Sequence, residues 1–393
     1  MEAREDGDVD PSVSQHGIPR VAATTLDKSE QARHKERKQI TQYQALEKDV
    51  VDRVKAKDYS DATFQLTSQL LTQNPEYYTI WNYRRLILQH VFARELAADE
   101  EPSDQDAAAA NKANLPPAQH EVLLLIKEDL QFLIPLLKQY PKCYWIWNHR
   151  SWLLGTATKH LPAQSAATLW QAELGLVSKM LGLDSRNFHG WGYRREVVLA
   201  IERLSSNGDG EKRSGSGNMV ESEFGYTTKM IQSNLSNFSA WHYRSQLIPR
   251  LLSSRNADTD TREEFLDAEF ELITKALYTD PYDQSLWFYH QYLMATLDPA
   301  NAQALPILDP CGRVEQARYL EREIGSLREM LEGAEDCKYI YQALLEYSGR
   351  YLDVEAEGEK VTLEEMRGWL RELRGIDPLR EGRWRDLERK MGL

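Results

Sequence analysis

Cysteine, basic charge and long apolar runs are all scarce in this chain, and each shortage removes a class of function. The only cysteines are Cys143, Cys311 and Cys337. Three scattered thiols are too few for a disulfide scaffold or a Cys-rich zinc site, and they fit a reducing compartment. Lys and Arg number 48 against 61 Asp and Glu, a net charge of −13, which argues against a general nucleic-acid binder or a protein held to anionic membrane by its own charge. No stretch approaches the roughly 18–20 uninterrupted apolar residues of a membrane helix, and the start, MEAREDGDVD, lacks the apolar segment of a secretory leader. These features predict a cytoplasmic protein without membrane insertion.

Self-contained catalytic motifs are missing too. His120-Glu121 opens a metalloprotease-like string, but Leu124 stands where the second histidine belongs. Gly208, Gly210, Gly215 and Gly217 fall in a polar segment with no preceding strand and no phosphate-loop lysine. No Ser or Cys nucleophile motif stands out.

Tryptophan is what the chain has in plenty: ten in 393 residues. Five segments align without gaps, at 74–85, 140–151, 184–195, 234–245 and 280–291, each around one anchor: Trp81, Trp147, Trp191, Trp241 and Trp287. Three positions before the anchor stands an aromatic in four copies (Tyr78, Tyr144, Phe188, Phe238), and three positions after it an arginine in four (Arg84, Arg150, Arg194, Arg244). Positions six and seven after it are always apolar, from Ile87/Leu88 to Leu293/Met294. This is the buried stripe of a helix. A second helical pattern precedes each anchor, as in Leu123, Ile126, Leu130, Leu133 and Leu137, or Leu169, Ala172, Leu176, Met180 and Leu183. Each repeat therefore reads as helix, turn, helix, the turn set by proline at 75, 141 and 281.

Asp377 precedes Trp384 by the seven positions that separate Asp280 from Trp287, which hints at a further copy, with room for a degenerate one around Lys338–Tyr351. The expected class is all-α, a right-handed superhelical solenoid of helical hairpins. Residues 1–30 read as a flexible arm and 31–393 as the repeat domain, with loop insertions at 97–119, 205–218 and 253–262. The tryptophans are expected in the core, and each arginine is expected to fork toward carboxylates or helix-end carbonyls of the adjacent repeat.

The pattern aromatic-x-x-Trp-x-x-Arg, in serial copies, resembles the repeat of protein prenyltransferase α subunits over residues 35–393. Within that family the chain looks most like the α subunits of the Rab (type II) geranylgeranyltransferases, above all in PKCYWIWNHRSWLLG (141–155), RNFHGWGYRR (186–195), SNFSAWHYRSQLIPRL (236–251) and DPLREGRW (377–384). CaaX-type members carry in the second repeat a glutamine that helps hold the substrate carboxylate. Trp145 occupies that position here and cannot play the same part. Residues 298–335 leave no room for the immunoglobulin-like and leucine-rich-repeat domains of longer members.

The resemblance implies a heterodimer with a prenyltransferase β subunit, which holds the catalytic zinc, magnesium being a further candidate cofactor. Geranylgeranyl would pass from its diphosphate to C-terminal cysteines of Rab GTPases presented by an escort protein. This chain would be the non-zinc-binding subunit, inactive without the β subunit. Lys142 matches the lysine that faces the diphosphate, and Tyr144, Asn187 and His189 match positions lining the same mouth. A solvated turn lysine, a repeat-core aromatic and a turn asparagine are the plain alternatives for the first three. His16-Gly17 resembles an amino-terminal Met-His-Gly whose histidine reaches the β-subunit zinc, but fifteen residues precede it here. Two other readings stand beside this one: the α subunit of farnesyltransferase and type I geranylgeranyltransferase, acting on CaaX proteins, and a non-enzymatic helical-repeat adaptor.

Overall fold

The turn chemistry between paired helices is written into the sequence. Where the first helix of a pair ends, Asn74, Asp184, Asn234 and Asp280 each accept, through the side-chain oxygen, the backbone N–H two residues on. Such Asx turns supply the bend that proline alone was expected to set, so the copies without proline at 185 and 235 turn the same way. In the computed structural model, residues 30–98, 115–206, 215–301, 304–354 and 360–393 are described. The arm at 1–29 with His16, and the bulk of the expected insertions at 97–119 and 205–218, lie outside them. Among the described residues there are fifteen α-helices, one 3-10 turn and no strand. The fold is the expected all-α helical solenoid.

The chain forms two compact units, one ending at His149 and the other running Arg150–Leu393. The first holds α1 (Glu30–Ala56), the hairpin of α2 (Asp61–Gln73) and α3 (Tyr78–Ala98), α4 (Pro117–Gln139) and the start of α5 (Tyr144–His160). The second continues from α5 with α6 (Ala163–Leu183) and α7 (Phe188–Ser206), α8 (Gly215–Ser233) and α9 (Phe238–Ser254), α10 (Thr259–Thr279) and α11 (Gln284–Ala295). It closes with α12 (Arg313–Leu331) and α13 (Lys338–Val354), then α14 (Leu363–Ile376) and α15 (Glu381–Met391). Of the polar stretch at 253–262 only residues 255–258 fall between α9 and α10, because Asp258 caps the next helix by accepting from the Thr261 N–H.

Every anchor is buried. Each indole N–H donates to the carbonyl six residues earlier: Trp81 to Pro75, Trp147 to Pro141, Trp191 to Ser185, Trp241 to Leu235 and Trp287 to Pro281, at 2.7–2.9 Å. One side chain thus fills the core and closes the turn. The apolar pairs six and seven positions on are all buried. In the pair α12/α13, Tyr341 takes the anchor's place and its hydroxyl donates to the Glu335 carbonyl, again six residues back. Trp384 is buried and bonds the Asp377 carbonyl. Both degenerate copies expected near the end are therefore present.

The arginines fork into buried carboxylates, as expected. Arg84 meets Asp129 at 2.6 Å, Arg150 meets Glu173 at 2.6 Å, Arg194 meets Glu223 at 2.6 Å and Arg244 meets Glu269 at 2.5 Å, with both partners buried in every case. His290, the departing copy, does the same with Glu323 at 2.9 Å. The residue two after the anchor of the following copy shares the carboxylate: His149 on Asp129, Tyr193 on Glu173 and Tyr289 on Glu269. Burial beside Glu173 and Glu269 pushes the Tyr193 and Tyr289 phenols well above their ordinary value, which keeps them donors. A buried charge pair of this kind is tolerable because each oxygen of these carboxylates accepts at least one hydrogen bond.

These acids overturn part of the expected stripe on α6. Ala172 is exposed and Leu183 is 77% exposed, whereas Leu169, Trp170, Glu173, Val177 and Met180 face inward. The stripe is rotated to carry Glu173 inward, a position that an apolar periodicity cannot award to a carboxylate.

At the first clamp a histidine stands where the others have tyrosine. Burial alone would raise the Asp129 carboxyl, but Arg84 and His149 outweigh it and hold it below the usual carboxylate range. Burial likewise keeps His149 below the ordinary histidine value despite Asp129, with Arg84 and Arg85 adding to the effect. The folded state therefore resists a proton that the unfolded chain accepts below about pH 6.5, and stability falls as pH drops through that value. His149→Tyr removes this titration. Its thermal midpoint is expected to fall less than the wild type's between pH 7.5 and 5.5; an equal or larger fall contradicts this account of the clamp.

Candidate functional site

The first turn of each second helix carries the residues singled out by the repeat, and it leaves them at the surface. Tyr144 is 50% exposed, against 3% for Trp147 one turn on. Tyr78, Phe188 and Phe238, in the same position of their copies, are exposed as well. The plain alternative of a repeat-core aromatic therefore does not describe Tyr144. The indole three positions on takes the core, and the preceding aromatic is turned outward.

In the first unit, Lys142 is exposed in the turn between α4 and α5, one residue before the buried Cys143 and two before Tyr144. Trp145 lies half-buried between two phenol rings, its ring centre 5.4 Å from Tyr78 and 5.2 Å, edge-on, from Tyr144. Behind this aromatic group runs a polar chain. The Arg85 guanidinium donates to the Asn148 side-chain oxygen at 2.6 Å, and the Asn148 amide donates to the Tyr144 hydroxyl at 3.3 Å. Arg85 is half-buried, and burial lowers its pKa while the nearby Tyr144 opposes that shift. The turn thus presents a cation beside an aromatic shelf whose phenol is held from behind.

In the second unit, Asn187 and His189 stand together at the start of α7. Asn187 is buried, and its side-chain oxygen accepts the backbone N–H groups of His189 (3.1 Å) and Gly190 (3.2 Å). It is the N-cap of the helix, as Asn237 is for α9, where it accepts from Ala240 at 3.1 Å. His189 is half-buried, its imidazole 3.9 Å from the ring of Phe188, which is 70% exposed. The structure thus brings Lys142 together with Tyr144, and Asn187 together with His189.

Sequence reasoning passed over Arg85 and Tyr78. Arg85 sits four positions after its anchor, in a column that otherwise reads Ser151, Arg195, Ser245 and Gln291. An unlike column of that kind is the available sign that packing does not dictate the residue. Among the described residues no group of three or more His, Cys, Asp or Glu gathers to hold a metal ion. No described helix is long and apolar enough to cross a membrane.

Comparison with known proteins follows the same repeat. The family model described as "Protein prenyltransferase alpha subunit repeat" matches residues 60–91, 126–157, 170–201, 220–251 and 266–297. The chain is 33% identical over 380 residues to the geranylgeranyl transferase type-2 subunit alpha of Saccharomyces cerevisiae, covering 94% of this chain and 97% of that protein. It is also 33% identical to the subunit of the same name from Schizosaccharomyces pombe, over 96% and 98% of the two chains. The Homo sapiens subunit of that name is 34% identical over 290 residues, 73% of this chain and 43% of its own length. Among solved structures, "Candida albicans protein geranylgeranyltransferase-I complexed with GGPP" shares the fold, with a TM-score of 0.56, 17% identity, and coverage of 89% and 91%. Repeat, fold and near end-to-end identity agree: the chain belongs to the protein prenyltransferase α-subunit family, alongside the α subunits of type-2 geranylgeranyl transferases.

Proposed function

We propose that this chain is the α subunit of a heterodimeric Rab geranylgeranyltransferase. With a β subunit it would transfer geranylgeranyl from geranylgeranyl diphosphate to C-terminal cysteines of Rab GTPases presented by an escort protein. The observation that carries this reading is identity with type-2 α subunits along almost the whole chain. On this reading the zinc belongs to the β subunit, where it would activate the acceptor cysteine as a thiolate, and this chain alone is inactive. Magnesium dependence goes with the diphosphate and not with a ligand set on this chain. The setting is the cytoplasm.

Lys142 has the chemistry for the leaving group. Charge accumulates on the diphosphate as its bond to the prenyl carbon breaks, and a fixed ammonium at that place stabilises the transition state more than the ground state. Tyr144 stands beside Lys142 on an exposed first turn, and by resemblance His189, at the start of α7, has a substrate-facing part of its own. Asn187, occupied in capping, contributes by setting where His189 begins its helix. Trp145 favours the Rab reading over the CaaX one, since an indole packed between two phenols has a single N–H and no acceptor and cannot play the combined donor-and-acceptor part of a glutamine amide.

Exposed aromatics on first turns, Tyr78 with Tyr144 in one unit and Phe188 with Phe238 in the other, where Phe288 one turn into α11 is exposed as well, are the kind of surface a partner covers. Produced alone, the chain is expected to associate or precipitate. Co-expressed with a type-2 β subunit, it is expected to elute from size-exclusion chromatography as a one-to-one dimer. A stable monomer that ignores the β subunit would favour the repeat adaptor instead.

A further inference from the structure

The turn that carries Lys142 is tied to the turn before it, and the tie recurs along the chain. Four residues before the anchor, four copies carry a side chain that can both donate and accept, Cys143, Asn187, Asn237 and Cys337, while Tyr77 and Asp283 stand there in the other two. Asn237 uses both functions. Its oxygen caps α9, and its amide donates to the Ser185 carbonyl of the preceding turn at 2.8 Å. Cys337 repeats the second function, its thiol donating to the Pro281 carbonyl at 3.1 Å. Cys143 does so to the Pro75 carbonyl at 3.3 Å. In all three cases that carbonyl already accepts the indole N–H of its own anchor, Trp191, Trp287 or Trp81. Both lone pairs are in use, and adjacent turns are locked through one oxygen.

We propose that Cys143 is a positioning residue for Lys142, setting the place of the lysine by fastening its turn, through the Pro75 carbonyl, to the turn between α2 and α3. The proposal rests on the reading of Lys142 as the cation at the diphosphate. Cys143 and Lys142 are neighbours in a turn of only four residues between α4 and α5, so a shift of one moves the other. The backbone N–H groups of Ile146 and Trp145 at the start of α5 act to lower the thiol's pKa, and the Glu76 carboxylate acts to raise it. Burial pushes the thiol up to about 11, so the S–H stays protonated and remains a donor. Tyr78, from the turn before, packs on Trp145 and gives the same pair of turns a second contact. A cation displaced by a fraction of an ångström stabilises developing charge less well, while the isoprenoid and the acceptor bind as before.

The test uses the assembled dimer with its escort protein. Cys143→Ala removes both functions and is expected to lower single-turnover transfer about tenfold, with the apparent affinity for geranylgeranyl diphosphate little changed. Cys143→Asn restores donor and acceptor, as at Asn237, and is expected to recover the rate to within about threefold. Cys337→Ala breaks the same tie on a turn without a proposed catalytic residue and should leave the rate unaltered. In a Lys142→Ala background, Cys143→Ala should cause no further loss, because the residue acts only through the lysine. If the alanine variant fails to assemble, Cys143→Val fills the space of the thiol without a donor and carries the same expectation. A wild-type rate in Cys143→Ala or Cys143→Val overturns the proposal, and so does an additive loss in the double variant. If Lys142→Ala itself transfers at the wild-type rate, it is the assignment of Lys142 that fails.

Discussion

Lys142→Ala is expected to slow prenyl transfer on the assembled dimer by about 30- to 900-fold, the loss of about 2–4 kcal/mol of transition-state stabilisation that follows removal of one preorganised charge. Assembly should be intact, since Lys142 is exposed in its turn. The loss should appear in the rate of the chemical step more than in substrate affinity, because charge on the departing diphosphate is largest after the prenyl bond has begun to break. Lys142→Arg keeps the charge but spreads it over a planar fork, and should recover part of the rate. Single-turnover measurement separates these cases. An unchanged rate in the alanine variant removes Lys142 from the mechanism.

The second large effect concerns stability. Glu269→Ala leaves the Arg244 guanidinium buried with no carboxylate and strips the Tyr289 hydroxyl of its acceptor. Breaking a buried pair from one side costs about 3–5 kcal/mol, because the charge left behind cannot reach water. The Thr228 hydroxyl on Arg244 at 2.8 Å is a neutral acceptor and does not replace it. Removing both sides, with Arg244→Met and Glu269→Leu together, should recover much of that loss, since an apolar pair of similar volume packs without desolvating a charge. Thermal unfolding of the two variants and the wild type gives the comparison. A single variant as stable as the wild type would mean that the clamp does not hold adjacent repeats.

These clamps mark the boundary of what the sequence made legible. The anchors, the apolar pairs beyond them and the arginines show themselves by period, because a bulky core residue or a fork must recur wherever the same turn is built. The acids that meet the arginines recur as strictly: Asp129, Glu173, Glu223 and Glu269 each stand 18 positions before the next anchoring tryptophan, and Glu323 stands 18 before Tyr341. They were invisible to a hydrophobic pattern, which places every glutamate on the solvent side. Hence the apolar period on α6 includes Leu183, which is exposed, and passes over Glu173, which is buried. Counting back from an anchor, without regard to polarity, is the signal that finds them.

The candidate site was legible in a different way. Lys142, Tyr144 and His189 are reached through resemblance, and what distinguishes the first two physically is that folding leaves them exposed, while His189 is half-buried. Asn187 was also reached that way, yet its side chain closes the helix N-terminus, a role that Asn237 repeats in a copy without any proposed chemistry. Cys143 was read only as a reduced thiol. The donor that it offers to the previous turn appears only when two turns, 68 residues apart, are seen side by side.

The account is tested most directly by assaying the co-purified dimer with geranylgeranyl diphosphate against two acceptors: a Rab GTPase ending in cysteines, with and without an escort protein, and a CaaX peptide alone. Transfer to the Rab only when the escort is present, with the CaaX peptide left unmodified, is the predicted result. Modification of the CaaX peptide without an escort, or no transfer to any acceptor by a correctly assembled dimer, would contradict it.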